Sequence, residues 1–170
     1  MWQNFLETYN CKTIIREPSS AHSTTLHMYS DASKIGYGAV YGTSWIQGRW
    51  QTFDITVLEL YPIFLLISMF GFKLKNSKIT FHCDNIAVVA VINKQTSKSP
   101  QLMHIIRKLV ITLLTHNICL HAVHIEGSKN FFCDSVSRYQ VTPAILQQFG
   151  MKPTPMPIPA HLLPENFKPF

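Results

Sequence analysis

Between Leu26 and Val40 the sequence sets two strand-like runs around a single carboxylate. Leu26-His27-Met28-Tyr29-Ser30 alternates as a strand with one buried face does. It delivers Asp31 and then turns through Ala32 and Ser33, and Gly36-Tyr37-Gly38-Ala39-Val40 starts a second strand. Gly42-Thr43 separates that strand, about Gly36–Tyr41, from a third at about Ser44–Trp50. A two-residue connection bearing glycine is a hairpin signal, so the three strands form an antiparallel meander. Packing is the default role for Trp45 and Trp50.

After the meander the period changes. From Thr56 to Gly71, Leu60, Phe64, Ile67 and Phe70 lie on one broad apolar face of a helix. Pro62 falls inside it and is expected to bend its first turns, because proline removes a backbone donor. Lys78 to Asp84 alternates again, with Ile79, Phe81 and Cys83 on one face, and this strand also ends on an aspartate. Asn85–Ile92 reads as a short helix and Asn93–Ser99 as a basic polar loop. Pro100 stands at the favoured first position of a longer helix carrying Leu102, Ile105, Ile106, Leu109 and Leu113. Asn117–Val123 reads as a fifth strand, Glu126–Asn130 as a polar loop and Phe131–Arg138 as a last helix. The order β-β-β-α-β-α-α-β-α defines an α/β fold: a five-stranded mixed sheet with helices on both faces.

The ends differ from this middle. Residues 1–25 read as a lead-in from an upstream region. From about 141 to 170, Pro143, Pro153, Pro155, Pro157 and Pro159 describe an extended, proline-rich linker or tail. The length of 170 residues with 46% hydrophobic content suits one well-filled domain. The four cysteines, Cys11, Cys83, Cys119 and Cys133, lie far apart, as buried reduced thiols do rather than a disulfide or zinc set. The N-terminus has no basic start and no apolar core of a secretion signal. The longest apolar run, Leu60–Phe72, is thirteen residues against the ~20 of a membrane span. An intracellular location, cytoplasmic or nuclear, and no membrane are expected.

A net charge of +6 suits a polyanionic partner without demanding one. Against that background the nine acids are conspicuous, and four stand in similar places. Asp31 and Asp84 end strands that are natural central neighbours, Glu59 lies in the first turn of the helix leading into the second of them, and Asp134 lies on a helix that can return over the same edge. Open α/β sheets place their sites at that edge. Thr56 with Glu59 also fits a capping box, which gives Glu59 a purely structural alternative. Four converging carboxylates repel one another unless cations are present, and hard oxygen donors select Mg²⁺, or Mn²⁺ in its place, over Zn²⁺. Two such ions binding one phosphate would support phosphodiester hydrolysis.

The motifs together resemble the ribonuclease H domain of retroelement reverse transcriptases. They are Ser-Asp31-Ala-Ser before Gly-Tyr-Gly-Ala, Glu59-Leu-Tyr-Pro, Cys-Asp84-Asn, and His124-Ile-Glu-Gly-Ser-Lys-Asn-Phe-Phe-Cys-Asp134-Ser-Val-Ser-Arg. Ile-Thr-Val-Leu-Glu-Leu-Tyr-Pro-Ile, Asn-Lys-Gln-Thr-Ser-Lys and the trailing Pro-Thr-Pro-Met-Pro-Ile-Pro-Ala-His-Leu are most similar to DIRS-type (tyrosine-recombinase) retrotransposons. The likeness is strong over residues 26–140. It implies a ribonuclease H-like fold and two-metal hydrolysis of the RNA strand of RNA:DNA hybrids, beside a reverse transcriptase domain of the same polyprotein. On it, Asp31, Glu59, Asp84 and Asp134 match the metal-binding acids, and His124 matches a mobile-loop histidine that assists turnover or product release. Glu126 departs from the family, which often has proline there, and Phe131-Phe132 is bulkier than the usual aliphatic pair.

Ser33, Asn85 and Gln95 are candidates to reach sugar hydroxyls or phosphates of a hybrid in its shallow minor groove. Lys94 and Lys98, with Arg107 and Lys108, are candidate phosphate contacts, though a solvated helix face explains the last two equally well. His124 has the alternative of an ordinary surface histidine, while His82 and His121 alternate with apolar residues and read as structural. Two other functions compete. One is a nuclease of the same fold acting on DNA. The other is a degenerate domain that binds nucleic acid beside a polymerase without cutting it.

Overall fold

The structure, a computed structural model, describes residues 25–50 and 55–164. The elements are β1 (Leu26–Ala32), β2 (Gly36–Tyr41), β3 (Ser44–Arg49), α1 (Ile55–Phe70), β4 (Lys78–Cys83), α2 (Ile86–Lys94), α3 (Pro100–His116), β5 (Cys119–His124), α4 (Phe131–Ser137) and α5 (Pro143–Gln148). Short 3-10 turns occupy Gly127–Asn130 and Ala160–Leu162. The expected lead-in up to Thr24 and Cys11 within it lie outside the described residues.

The sheet order is β3-β2-β1-β4-β5. The meander forms as expected, β1 pairing with β2 and β2 with β3 in antiparallel fashion. Gly42 turns the second hairpin at φ +58, a backbone conformation that side chains with a Cβ rarely adopt. On its other edge β1 runs parallel to β4, and β4 parallel to β5. β1 is longer than its alternation indicates. Pairing continues through Asp31 opposite Gly38 and Ala32 opposite Tyr37, so Asp31 is part of the strand and the turn begins at Ser33.

One face of the sheet carries the main core. There α1 is enclosed almost all round, with Leu60, Ile63, Leu65, Leu66 and Ile67 fully buried. It runs as one helix through Pro62. α3 supplies Leu102, Ile105, Ile106, Leu109 and Leu113 to the same core. The opposite face is covered by α4, whose Phe132, Cys133 and Val136 pack with Val40 and Trp45. Helices therefore flank both faces. Among the described residues no helix is long and apolar enough to cross a membrane.

The proline-rich segment is more structured than an extended linker. Its first turn is capped by Thr142, whose hydroxyl accepts from Ile145 N, and Pro143 stands in the first turn of α5. Ile145, Leu146 and Met151 then pack on the α4 cluster. Beyond α5 the chain follows the edge strand β3: Lys152 N donates to Thr43 O at 3.0 Å and Met156 N to Trp45 O at 2.8 Å. Trp45 Nε1 donates to Lys152 O at 2.9 Å, and the Tyr61 hydroxyl donates to Leu162 O. Proline here suits a segment beside a sheet edge, where not every backbone N–H is needed in a ladder.

Candidate metal centre

The two central parallel strands bring their acids to one edge. Tyr29 of β1 is in register with His82 of β4, and the two rings stack at 4.5 Å between centroids. Two residues further along each chain stand Asp31 and Asp84. Glu59, in the first half of α1, reaches the same edge from the core face. Its carboxylate accepts from the backbone N–H of Ala32 on β1. Oxygens of Glu59 and Asp84 and the sulfur of Cys83 lie within 4.8 Å of one another.

α4 completes the edge from the other face. Asp134 stands in its first turn. The helix seats closely on the hairpin because β2 has glycine at position 38, where a Cβ would come within 2.4 Å of Val136 Cγ1. Ser137 Oγ then lies 2.6 Å from Asp31 Oδ2 and 2.9 Å from Asp134 O. Arg138 Nε donates to Asp134 Oδ1 at 2.7 Å. Asn130, buried, donates from Nδ2 to Ser30 O at 2.8 Å and so ties the start of α4 to β1. Ser137 and Arg138 were not singled out from the sequence. The signal was present, since they follow Asp134 by three and four residues and share its helix face.

The electrostatics are those of acids forced together. Glu59, only 7% exposed, is pushed up to about 8, first by burial and then by Asp31 and Asp84. Asp31 is pushed up to about 6, first by burial, with Asp84 and Asp134 adding to the rise and the Ser137 hydroxyl opposing it. Glu59 Oε2 is buried without a hydrogen-bond partner among the described residues. Burial pushes the Cys83 thiol up to about 12, so it is protonated in the metal-free protein, and a soft sulfur suits a hard divalent cation less than oxygen does. The remaining donors are carboxylate oxygens, a set that fits a hard divalent cation: positive charge would relieve the repulsion and give Glu59 Oε2 a partner.

The other expected site residues are more dispersed. His124 ends β5 in an exposed position, with Nε2 3.2 Å from the backbone oxygen of Asp84. Glu126, just beyond it, pairs with Lys129 at 3.3 Å. Asn85 caps α2, its Oδ1 accepting from Ala87 N and Val88 N. The Ser33 hydroxyl is buried within the β1–β2 turn, donating to Ser137 O at 2.8 Å and accepting from Ile35 N and Gly36 N at 3.2 Å. Lys94, Gln95 and Lys98 are exposed at and beyond the far end of α2, and the nine residues of that helix put Lys94 about 13 Å along it from its start. His82 is half-buried against Tyr29 and His27, in keeping with a structural role, whereas His121 is exposed. Cys83 and Cys133 are buried free thiols as expected, but Cys119 at the start of edge strand β5 is exposed.

Neither a scan against protein-family models nor a search of curated proteins finds a match to this chain. Solved structures do. LC11-RNase H1 in complex with an RNA/DNA hybrid superposes with a TM-score of 0.60 at 19% identity, covering 71% of this chain and 99% of that one. The N-terminal RNase H domain of a Mycobacterium tuberculosis protein, determined as a fusion with maltose-binding protein, gives 0.57 at 12% identity, covering 73% and 99%. RNase H1 of the halophilic archaeon Halobacterium salinarum gives 0.54 at 16% identity, covering 69% and 97%. The five-stranded mixed sheet with flanking helices is thus the ribonuclease H fold.

Proposed function

We propose that the chain is a ribonuclease H, cutting the RNA strand of RNA:DNA hybrids by metal-assisted phosphodiester hydrolysis. The observation that carries this reading is the meeting of Asp31, Glu59, Asp84 and Asp134 at one edge of a ribonuclease H fold, with a buried carboxylate oxygen of Glu59 left unpartnered. That one structural neighbour was solved with an RNA/DNA hybrid supports the choice of substrate. Asp31, Glu59, Asp84 and Asp134 would hold Mg²⁺, two ions in this reading, with Mn²⁺ as a substitute. Bound there, the metal supplies activation of water and stabilisation of the leaving oxygen. The chain's own residues do the rest. Ser137 orients Asp31, Asn130 fixes α4 against β1, and Arg138 neutralises Asp134 while no metal is bound. His124, exposed with its Nε2 near the backbone oxygen of Asp84, would exchange a proton or a hydrogen bond with the departing product. Asn85, Gln95, Lys94 and Lys98 are the proposed hybrid contacts; Ser33, its hydroxyl buried and bonded to Ser137 O, would act only by shaping its turn.

The motifs around these acids further support an origin in a retroelement of the DIRS type. Residues 26–140 would then be its ribonuclease H domain, 1–25 the lead-in from a reverse transcriptase domain, and 141–170 a proline-rich C-terminal linker or tail. The deciding experiment incubates the full chain with Mg²⁺ and RNA:DNA hybrid, double-stranded RNA, or DNA. Cleavage of the hybrid alone, abolished in Asp84→Asn with the circular dichroism unchanged, is expected. Cleavage of DNA would move the chain to another nuclease class on the same fold. Inactivity on every substrate, with no carboxylate-dependent Mg²⁺ binding by calorimetry, would leave only a binding role.

A further inference from the structure

At the end of the sheet opposite the acids, the connection from α1 to β4 presents an aromatic ring to water. Phe72 is 82% exposed. The turn that carries it is tied down on every side. Leu74 is fully buried, and its N–H reaches Phe70 O at 3.0 Å and Gly71 O at 3.2 Å. Asn76, at φ +61, donates from its backbone to His116 O at 3.0 Å, and its Oδ1 accepts from Asn117 Nδ2 at 2.8 Å. Ser77 Oγ donates to Leu74 O at 2.6 Å. A single exposed apolar side chain is common and by itself carries little. This one stands on a rigid turn among cations. Lys73 and Lys75 are exposed beside it, Lys73 with Nζ 6.0 Å from the Phe70 ring centroid, and Lys78 starts β4.

The charges of the described chain are segregated. Of the nine acids, Glu7, Glu17, Asp54 and Glu165 lie outside the described residues. The other five, Asp31, Glu59, Asp84, Glu126 and Asp134, all belong to the catalytic edge or the loop following β5. Neither Lys73, Lys75 nor Lys78 makes an ion pair with a described residue, whereas Lys129 pairs with Glu126 and Arg138 with Asp134. The six residues of β4 set this pole about 20 Å from the acids.

We propose that the Phe72 turn is a second nucleic-acid contact, binding unpaired nucleotides through stacking on Phe72 and phosphate contacts from Lys73, Lys75 and Lys78. An exposed ring on a fixed turn with lysines following it closely in the chain suits single strands, because every base has a face to stack while the lysines follow the backbone. A duplex keeps its bases stacked on one another and leaves Phe72 no partner, so the ligand is single-stranded. The inference rests on the nucleic-acid reading above only for its choice of ligand.

The test uses the full chain in chelator, so that nothing is cut, and follows anisotropy of a labelled oligothymidylate of about 20 nucleotides over a salt series. Phe72→Ala is expected to weaken binding about 5- to 100-fold and Phe72→Trp to preserve it. Lys73→Gln with Lys75→Gln should flatten the dependence of log K on log salt by about 0.7 per lysine. Since these side chains are exposed, unchanged melting temperatures confirm that the variants fold. Affinity and salt slope unchanged in all of them overturns the proposal. So does a loss seen only in binding to anionic vesicles or to an acidic protein. The two readings fail separately: a chain that cuts no hybrid removes the ribonuclease assignment and leaves this contact standing, whereas an inert Phe72→Ala beside a hybrid cleavage that Asp84→Asn abolishes removes this contact alone.

Discussion

Ser137 Oγ lies 2.6 Å from Asp31 Oδ2, joining the last turn of α4 to the central strand across the sheet. Both residues are buried, so the bond is sheltered from water. It sets the orientation of a carboxylate that burial and neighbouring acids would otherwise drive towards its protonated form. Partners of this kind behind a metal ligand typically contribute 10- to 100-fold in metal affinity. Ser137→Ala is therefore expected to weaken Mg²⁺ binding, read by calorimetry, by about that factor while the fold persists. Equal affinity in the two proteins would mean that Asp31 needs no such support.

The raised acids make the metal-free protein sensitive to alkali. Asp31 sits at about 6 against an ordinary 3.8, and Glu59 at about 8 against 4.5, with burial the first cause in both. A raised carboxyl means that the folded state holds its proton more tightly than the unfolded chain does. The stabilisation is complete below the unfolded values near 4 and is lost as pH climbs through about 6 and then about 8. In chelator, the melting temperature should be lower at the alkaline end of that window than at its acid end. Mg²⁺ should restore it at the alkaline end and do little at the acid end, where the proton already occupies Glu59. A metal-free melting temperature that is flat or rises across the window contradicts the arrangement.

Arg138 acts on the same acids with the opposite sign. Its bond to Asp134 is short, but the two side chains are 52% and 38% exposed, so the pair contributes at most about 1 kcal/mol to folding. Its larger effect is to place a positive charge where a cation is to bind. Arg138→Gln should leave the urea midpoint almost unchanged and tighten Mg²⁺ binding a few-fold. Weaker Mg²⁺ binding in the variant would instead make Arg138 an organiser of Asp134.

The thiols offer a check on burial that involves no nucleic acid. Burial holds the Cys83 thiol at about 12, complete burial likewise pushes the Cys133 thiol well above its ordinary value, and Cys119 is exposed at the edge of the sheet. Reaction depends on an accessible thiolate. Brief iodoacetamide treatment of the folded protein, mapped by mass spectrometry, should modify Cys119 and spare Cys83 and Cys133. Early modification of Cys83 would place it in solvent and undo the packing of the acid edge.

Much of this was legible because periodicity and the acids spoke together. Alternation located β1 and β4, each delivering an aspartate, and the parallel pairing of those strands followed from the helix between them. Three things were less visible. The extension of β1 through Asp31 depends on pairing with Gly38, a tertiary fact that a run ending in Asp-Ala-Ser does not announce. Thr56 and Glu59 satisfy a capping pattern, and nothing in that spacing announces that Glu59 accepts from Ala32. The small residues Ser33 and Ser137 are spent on each other and on Asp31, a relation across more than a hundred residues that no local pattern encodes.

The C-terminal segment gives the last prediction. Proline-rich composition describes a chain that cannot form helix or ladder by itself, and it says nothing of what that chain lies against. Here it meets β3 at the sheet edge. Trp45 donates to Lys152 and accepts, through its backbone, from Met156, while Ile145, Leu146 and Met151 cover the cluster of Val40, Phe132 and Val136. Ending the chain after Val141 would return these half-buried side chains to water and expose both Trp45 and the edge of β3. The truncation also removes Met156, Ile158 and Leu162, half-buried against the main core; at about 1 kcal/mol for each half-buried side chain the shortened protein should lose roughly 6 kcal/mol and show a clearly lower urea midpoint. It should also associate more readily, because an uncovered apolar strand edge is a template for pairing with another chain. Equal midpoints and an unchanged sedimentation profile for the two lengths would reduce the segment to a passive tail.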